Sequence, residues 1–154
     1  MKKHSILAAL LMLFALVLTS CSDDKKSEWS YFHGFTIEDI VGSYSWSNLD
    51  NAFDGLLESS NCHICDDGKV TVTQIAGSMV RFRFESELAS FSRTVEDNAT
   101  EDGNDFRIKM EEYPFEVSAY VYKNDKNQIR LHGFVRKNTA ELGSINYYFD
   151  VIKD

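Results

Sequence analysis

Apolar and polar residues alternate along several segments of the chain. The alternation is clearest in residues 80–85, 106–111, 115–122, 129–136 and 145–151, where mostly aliphatic and aromatic residues share one phase. A period of two places successive side chains on opposite faces of a β-strand, so each segment predicts a strand with one buried face. Residues 70–73 and 42–48 predict two further strands by the same pattern.

The predicted strands are separated by short segments rich in Asp, Asn and Gly. Residues 66–69, 101–104 and 124–127 have this composition, which is typical of hairpin turns that need a positive φ. A chain of strands joined by such turns predicts an all-β fold, an antiparallel meander closed as a barrel, with a β-sandwich as the alternative. Thr36, followed by acidic residues, predicts one short N-terminal helical turn, and residues 52–57 also show helical spacing.

The N-terminus has the pattern of a secretory signal. Lys2 and Lys3 precede an uncharged apolar run from Ile6 to Leu18, a length within the ~7–15 residues of a signal peptide and below the roughly 20 residues of a membrane-spanning helix. The sequence Leu18-Thr19-Ser20-Cys21 resembles the lipobox of bacterial lipoproteins. We therefore expect a signal peptide at residues 1–20 and lipidation of Cys21, with the acyl chains as the anchor in the membrane.

The residues that follow Cys21 predict the location and the domain organisation. Ser22-Asp23-Asp24 resembles the surface-export signal of Bacteroidetes lipoproteins, so we expect a lipid-anchored protein of the outer membrane, exposed at the cell surface or otherwise facing the periplasm. Residues 21–34 are polar and without apolar periodicity, which predicts a tether. Residues 35–154 are then a single β-domain of ordinary size.

Net charge narrows the classes of partner. The chain carries a formal charge of −8, and removal of Lys2 and Lys3 with the signal peptide makes the remainder more negative. Because no basic stripe offsets this charge, we expect no binding to nucleic acid.

The stretch around the first predicted strand carries a family resemblance. A helical turn leads into Gly42-Ser43-Tyr44, and Trp46 follows. This resembles the start of lipocalin-like (calycin) domains, and the whole chain is similar to the small calycin-like lipoproteins of Bacteroidetes, most of which are uncharacterised. The resemblance implies a lipocalin-like barrel, and it implies no ligand-binding residues.

Cys62 and Cys65 form a C-x-x-C motif. In an exported protein this spacing predicts a short-loop disulfide. Free thiols, a metal site and a redox pair are the alternatives; a redox pair would need a helix N-terminus to stabilise the thiolate, and a structural metal site would need a second pair of ligands.

The chain offers few groups for catalysis. Beyond the predicted signal peptide it contains only His33, His63 and His132 as histidines, and no serine lies in a nucleophile-elbow sequence. The acidic residues between Asp97 and Asp105 lack the spacing of a calcium loop and predict a solvated turn. We expect no enzymatic activity, no catalytic residues, no metal and no cofactor.

Four aromatic residues lie on the phase opposite the apolar one. They are Tyr120, Tyr122, Phe134 and Tyr148. If their strands are neighbours, these residues form a patch that predicts a binding surface; a second packing layer and the lining of a barrel lumen are the alternatives. We expect a non-enzymatic protein that binds a small hydrophobic ligand, glycan or peptide, or alternatively a structural or interaction subunit that contacts an envelope protein and has no ligand cavity.

Overall fold

The computed structural model describes residues 28–47, 61–101, 105–141 and 143–154. The predicted signal peptide, Cys21, the helical spacing at residues 52–57 and residues 102–104 of the predicted turn lie outside these ranges. The described residues form eleven strands and one short helix, which confirms the all-β fold class. No described helix has the length and apolar character needed to cross a bilayer.

The elements follow in an order that matches the predicted meander. The strands are β1 Trp29–Tyr31, β2 Gly42–Trp46, β3 Cys62–Ile64, β4 Lys69–Ala76, β5 Met79–Ser86, β6 Phe91–Asn98, β7 Thr100–Glu101, β8 Arg107–Glu112, β9 Phe115–Asn124, β10 Ile129–Thr139 and β11 Gly143–Lys153. The helix α1, Ile37–Ile40, confirms the predicted helical turn. It begins after Thr36, whose backbone N–H donates to the Asp39 carboxylate at 2.8 Å, as in a capping box.

One sheet contains all the described strands, in the order β6-β5-β4-β2-β11-β10-β9-β8-β7. Neighbours along this path pair antiparallel. Two short strands lie beside the path: β3 pairs parallel with β11 next to β2, and β1 pairs antiparallel with β9 next to β8. The long strands β9, β10 and β11 therefore form the centre of one half of the sheet, and β4, β5 and β6 form the other half.

The sheet is not closed into a barrel by backbone pairing. No ladder joins β6 to β8 among the described residues, although only Ala99 separates β6 from β7, which pairs with β8. Side chains bridge the gap instead. The Asp97 carboxylate accepts the N–H of Glu111 at 2.9 Å, the Glu112 carboxylate accepts the N–H of Glu96 at 3.2 Å, and Arg93 contacts Glu112 at 3.1 Å.

The inward phase of the strands forms one continuous core. Its largest fully buried side chains are Tyr44, Phe82, Phe84 and Phe149. The Tyr44 hydroxyl donates to the backbone carbonyl of Ile40 at 2.6 Å, so α1 covers one end of the sheet. Gly133 permits the close approach of β9 and β10, because a Cβ there would lie 2.0 Å from the carbonyl oxygen of Ser118.

Four strands correct the sequence predictions, namely β1, β3, β6 and β7. Asp97 to Asp105 were predicted to form a solvated turn, yet β6 extends to Asn98 and Thr100–Glu101 form β7, because these residues pair with β5 and β8, respectively. The predicted tether ran to residue 34, yet Trp29–Tyr31 form β1, because aromatic packing holds a segment too short to show periodicity. The β3 strand was also not predicted, for the same reason of length. The β6 strand was missed because its inward phase includes the charged residues Arg93 and Asp97. These side chains bond to Glu112 and to the N–H of Glu111 on β8 and are not part of the apolar core.

Candidate functional site

The outer side of β1 and β8–β11 carries six aromatic residues. We call this surface the aromatic face; its members are Tyr31, Phe106, Tyr120, Tyr122, Phe134 and Tyr148. Strand register brings them together, since Tyr31 is opposite Tyr122 on β9 and Phe134 is opposite Tyr148 on β11. All four residues of the predicted patch therefore lie on one side of the sheet, the side opposite the buried core.

Tyr31 is the centre of one group of rings. Its centroid lies 4.3 Å from that of Phe106, 4.8 Å from Tyr122 and 5.8 Å from Tyr120, separations typical of attractive aromatic pairs. Burial, and a hydrogen bond with Tyr31, raise the pKa of Tyr122. Tyr31 is nevertheless 45% exposed, so this group is packed from the side and open on its outer surface.

Phe134 and Tyr148 form the second group. Their rings meet edge to face with centroids 5.8 Å apart, and Ile64, 42% exposed, lies opposite Tyr148 on β3. His132 lies between the two groups, opposite Tyr120 in register and with its ring centroid 6.5 Å from that of Tyr122. The four predicted residues therefore fall into two groups: Tyr120 and Tyr122 both pack on Tyr31, and Phe134 packs on Tyr148.

Each of three arginines lies over a ring of the aromatic face. The guanidinium carbons of Arg107, Arg130 and Arg136 are 5.4, 5.3 and 4.7 Å from the centroids of Tyr120, Tyr122 and Phe134, respectively. Such stacking is attractive because the face of a ring is electronegative. Hydrogen bonds also hold these arginines. Arg107 Nε donates to Ser118 at 2.8 Å, and Arg136 donates to Asn146 at 3.0 Å and to Glu116 at 3.1 Å.

Arg130 is held by a carboxylate that is fully buried on the outer side of the sheet. Its Nε and Nη2 donate to the two oxygens of Asp150, both at 2.6 Å. Asp150 is 0% exposed. Burial alone would raise the pKa of Asp150, but the hydrogen bonds and charge of Arg130, with a contribution from His132, lower it below its usual range. The carboxylate therefore remains ionised and fixes the guanidinium against the Tyr122 ring.

Cys62 and Cys65 are free thiols in the structure, which contradicts the predicted disulfide. Cys62 lies in β3, and the N–H of Cys65 continues the pairing with β11 by donating to Tyr148 at 2.9 Å. Three residues of extended chain span roughly 10 Å, more than the ~7 Å limit between the Cα atoms of a disulfide. Burial raises the pKa of the Cys65 thiol to about 11, which disfavours the reactive thiolate.

The three histidines have different partners. His33 Nδ1 lies 2.6 Å from a carboxylate oxygen of Asp105, and the His63 ring stacks on Tyr147 at 5.1 Å. His132 belongs to the aromatic face. Within the described ranges, no three His, Cys, Asp or Glu side chains are grouped so that they could hold a metal ion.

The sequence pattern located four of the six rings and missed two. Tyr31 was placed in the tether, and Phe106 was assigned to the inward phase of its strand. Phe106 leaves that phase because it precedes the first residue of β8. The burial of Asp150 gave no sequence signal, since a charged residue on the outward phase is ordinarily solvated.

Comparison with known proteins finds no match to this chain. No family model matches the chain. Neither a curated protein nor a solved structure matches it.

Proposed function

We propose that this chain is a lipid-anchored, non-enzymatic protein of the outer membrane that binds another envelope protein through its aromatic face. The observation that supports this most directly is the combination of a filled interior and an aromatic, arginine-stacked exterior. It favours an interaction protein over a protein that holds a small ligand in its lumen.

The filled interior is the first support. A small-molecule site requires an open, lined cavity. Here the inward side chains form one buried cluster, and its largest members, among them Phe82, Phe84 and Phe149, are less than 2% exposed. These rings occupy the space that a lumen-bound ligand would need.

The composition of the aromatic face is the second support. Tyrosine, tryptophan and arginine are enriched at the residues that dominate protein–protein affinity. Arg130 is fixed by Asp150 and Arg136 by Glu116 and Asn146, so little side-chain entropy is lost when a partner docks. A partner that presents apolar groups and oxygen acceptors to the guanidinium groups fits this surface.

Net charge distinguishes a different protein from a second copy. The chain carries −8, and two copies brought together would repel each other. The partner in this proposal is therefore a different protein.

The proposal also includes the lipid anchor and a barrel that is closed by side chains. The lipobox at Cys21 and the acidic residues after it support lipidation and an outer-membrane location, exposed at the surface or facing the periplasm. The carboxylate bridges between β6 and β8, with the helical turn before Gly42, support a lipocalin-like barrel whose last wall is completed by side chains. In this proposal a Cys21→Ala variant moves from the membrane fraction to the soluble fraction and no longer incorporates radiolabelled fatty acid.

Site-specific photo-crosslinking in living cells tests the binding surface. A photoreactive phenylalanine analogue at position 148 or 31 lies on the aromatic face, and the same analogue at Thr73 or Thr94 lies on the other half of the sheet and serves as the matched control. We expect one heterologous adduct from positions 148 and 31, identified by mass spectrometry and lost in an Arg130→Ala background that remains folded.

Two results would contradict the proposal. One is an equal yield of the same adduct from the control positions. The other is an adduct consisting only of two copies of this chain, which would identify the aromatic face as a self-association surface.

A further inference from the structure

Two tyrosines, Tyr31 on β1 and Tyr122 on β9, face each other across the edge of the sheet. They are direct partners in the antiparallel ladder of the two strands. The N–H of the next residue, Phe32, donates to the Val121 carbonyl at 2.9 Å, so the N–H of Tyr31 points away from β9. Tyr31 and Tyr122 therefore occupy a non-hydrogen-bonded position, where opposite side chains are closest in an antiparallel pair.

The two phenol rings are held close together in one arrangement. Their centroids are 4.8 Å apart and their planes are 27° from parallel, and a hydrogen bond joins the two side chains. This bond brings the ring carbons beside each hydroxyl close to one another. Phe106, with its centroid 4.3 Å from that of Tyr31, and the guanidinium carbon of Arg130, 5.3 Å from the centroid of Tyr122, pack against the pair and limit ring rotation.

The pair is accessible from solvent, because Tyr31 is 45% exposed. Two other tyrosines provide a comparison. Tyr120 is farther from Tyr31, with centroids 5.8 Å apart, and its ring plane is tilted by 58°. Tyr113, in the β8–β9 turn, is 89% exposed. Exposure alone therefore favours oxidation of Tyr113, whereas proximity and orientation favour coupling of Tyr31 to Tyr122.

We propose that Tyr31 and Tyr122 are a modification site at which a one-electron oxidant forms an intramolecular dityrosine. With hydrogen peroxide and a haem peroxidase as the oxidant, each phenol loses one electron and its hydroxyl proton. A carbon–carbon bond then forms between the ring carbons adjacent to the two phenol oxygens, and the hydrogen on each of these carbons moves to its oxygen. The peroxide takes up the two electrons and two protons and leaves as two water molecules, so the protein loses two hydrogen atoms.

The crosslink fixes β1 to the rest of the sheet. This strand has three residues and, within the described part of the chain, pairs only with β9, so it belongs to the elements that open most easily. It is also the first described strand after Cys21, and in a lipid-anchored protein any force between membrane and domain passes through it. Formation of the crosslink needs neither the anchor nor a partner, so the purified protein tests it separately from the proposed function.

Oxidation of the purified protein at low concentration with hydrogen peroxide and a haem peroxidase tests the proposal. We expect dityrosine fluorescence, a monomeric band on a denaturing gel and an intact mass that is lower by two hydrogens. Peptide mapping should identify one crosslinked pair, which contains Tyr31 and Tyr122. Amide hydrogen exchange in β1 should become slower after oxidation, because the strand can no longer separate from β9.

Matched variants that each lose one hydroxyl assign the bond. Tyr31→Phe and Tyr122→Phe should each lose the intramolecular dityrosine, because a phenylalanine ring has no phenol proton to give up. Tyr113→Phe removes the hydroxyl of the exposed turn tyrosine and should retain the wild-type yield. Wild-type protein unfolded in urea should give a mixture of tyrosine pairs, since the ladder that aligns the two rings is lost.

Four results would overturn the proposal. The folded protein could form no intramolecular dityrosine, or the bond could map to Tyr113, to Tyr120 or to two separate chains. The folded Tyr31→Phe and Tyr122→Phe variants could retain the wild-type yield. The urea-unfolded chain could give the Tyr31–Tyr122 pair in the same yield as the folded protein, which would show that the fold does not direct the coupling.

Discussion

The two halves of the sheet have similar inner sides and different outer sides. On β4, β5 and β6 the outward phase is polar and charged; it consists mainly of Thr71, Thr73, Arg81, Arg83, Thr94 and Glu96. On β1 and β8–β11 the outward side is the aromatic face. Both halves bury the same kind of aliphatic and aromatic residues inside. The inward phase therefore explains the fold, and only the outward phase distinguishes a solvated surface from a candidate binding surface.

An ion pair on each half shows the same difference in energetic terms. Arg81 and Glu96 are 2.5 Å apart with side chains 50% and 46% exposed, so solvent screens their attraction. Arg130 and Asp150 are 2.6 Å apart with side chains 13% and 0% exposed. The second pair is part of the structure beneath the aromatic rings, and the first is a surface contact.

The largest expected effect comes from removing one carboxylate in each half. Asp150→Ala leaves the Arg130 guanidinium buried without its partner, which should cost about 3–5 kcal/mol of unfolding free energy. Glu96→Ala removes an exposed partner and should cost about 0–1 kcal/mol. Urea unfolding of both variants measures the difference. Equal losses of unfolding free energy would contradict the larger contribution assigned to the buried ion pair.

A similar comparison uses one glycine from each half. Gly133→Ala places a Cβ 2.0 Å from the Ser118 carbonyl oxygen and should destabilise the protein by about 3 kcal/mol through overpacking. Gly77, in the β4–β5 turn, has a φ of 55° and open space around it, so Gly77→Ala should cost only about 1 kcal/mol of backbone strain. Thermal and urea unfolding provide the two values. A Gly133→Ala loss as small as that of Gly77→Ala would mean that β9 and β10 tolerate the added atom.

The smallest of the three effects is on pH dependence. Because the pKa of Asp150 is lowered in the folded protein, its contribution to stability is present above the unfolded-state pKa of about 3.9 and is lost as the pH falls through the lower folded value. Asp150→Asn should therefore reduce the fall in unfolding free energy below about pH 4. Asp39 and Asp67 also have lowered pKa values. In Asp150→Asn, the slope of unfolding free energy against pH should therefore decrease without disappearing. An unchanged slope would contradict the role given to Asp150.

The sequence pattern was informative wherever one phase is consistently apolar. It identified β5, β9, β10 and β11 and the outward position of Tyr120, Tyr122, Phe134 and Tyr148, because period-two alternation directly reports burial on one face. It failed where the position or burial of a residue depends on a residue that is distant in the sequence. Trp29–Tyr31 are held by β9 at a distance of about ninety positions in the chain, Asp97 is turned toward β8, and the burial of Asp150 depends on Arg130.

The proposed function predicts that a partner in the envelope covers the aromatic face and leaves the other half of the sheet exposed. Hydroxyl-radical footprinting tests it by comparing isolated envelopes with the purified protein. Tyr31 reports on the aromatic face, and Ile75 and Met79, which have similar exposure, report on the other half. We expect oxidation of Tyr31 to be several-fold slower in envelopes, with Ile75 and Met79 unchanged. Equal protection of all three residues, or no protection of Tyr31, would contradict the account.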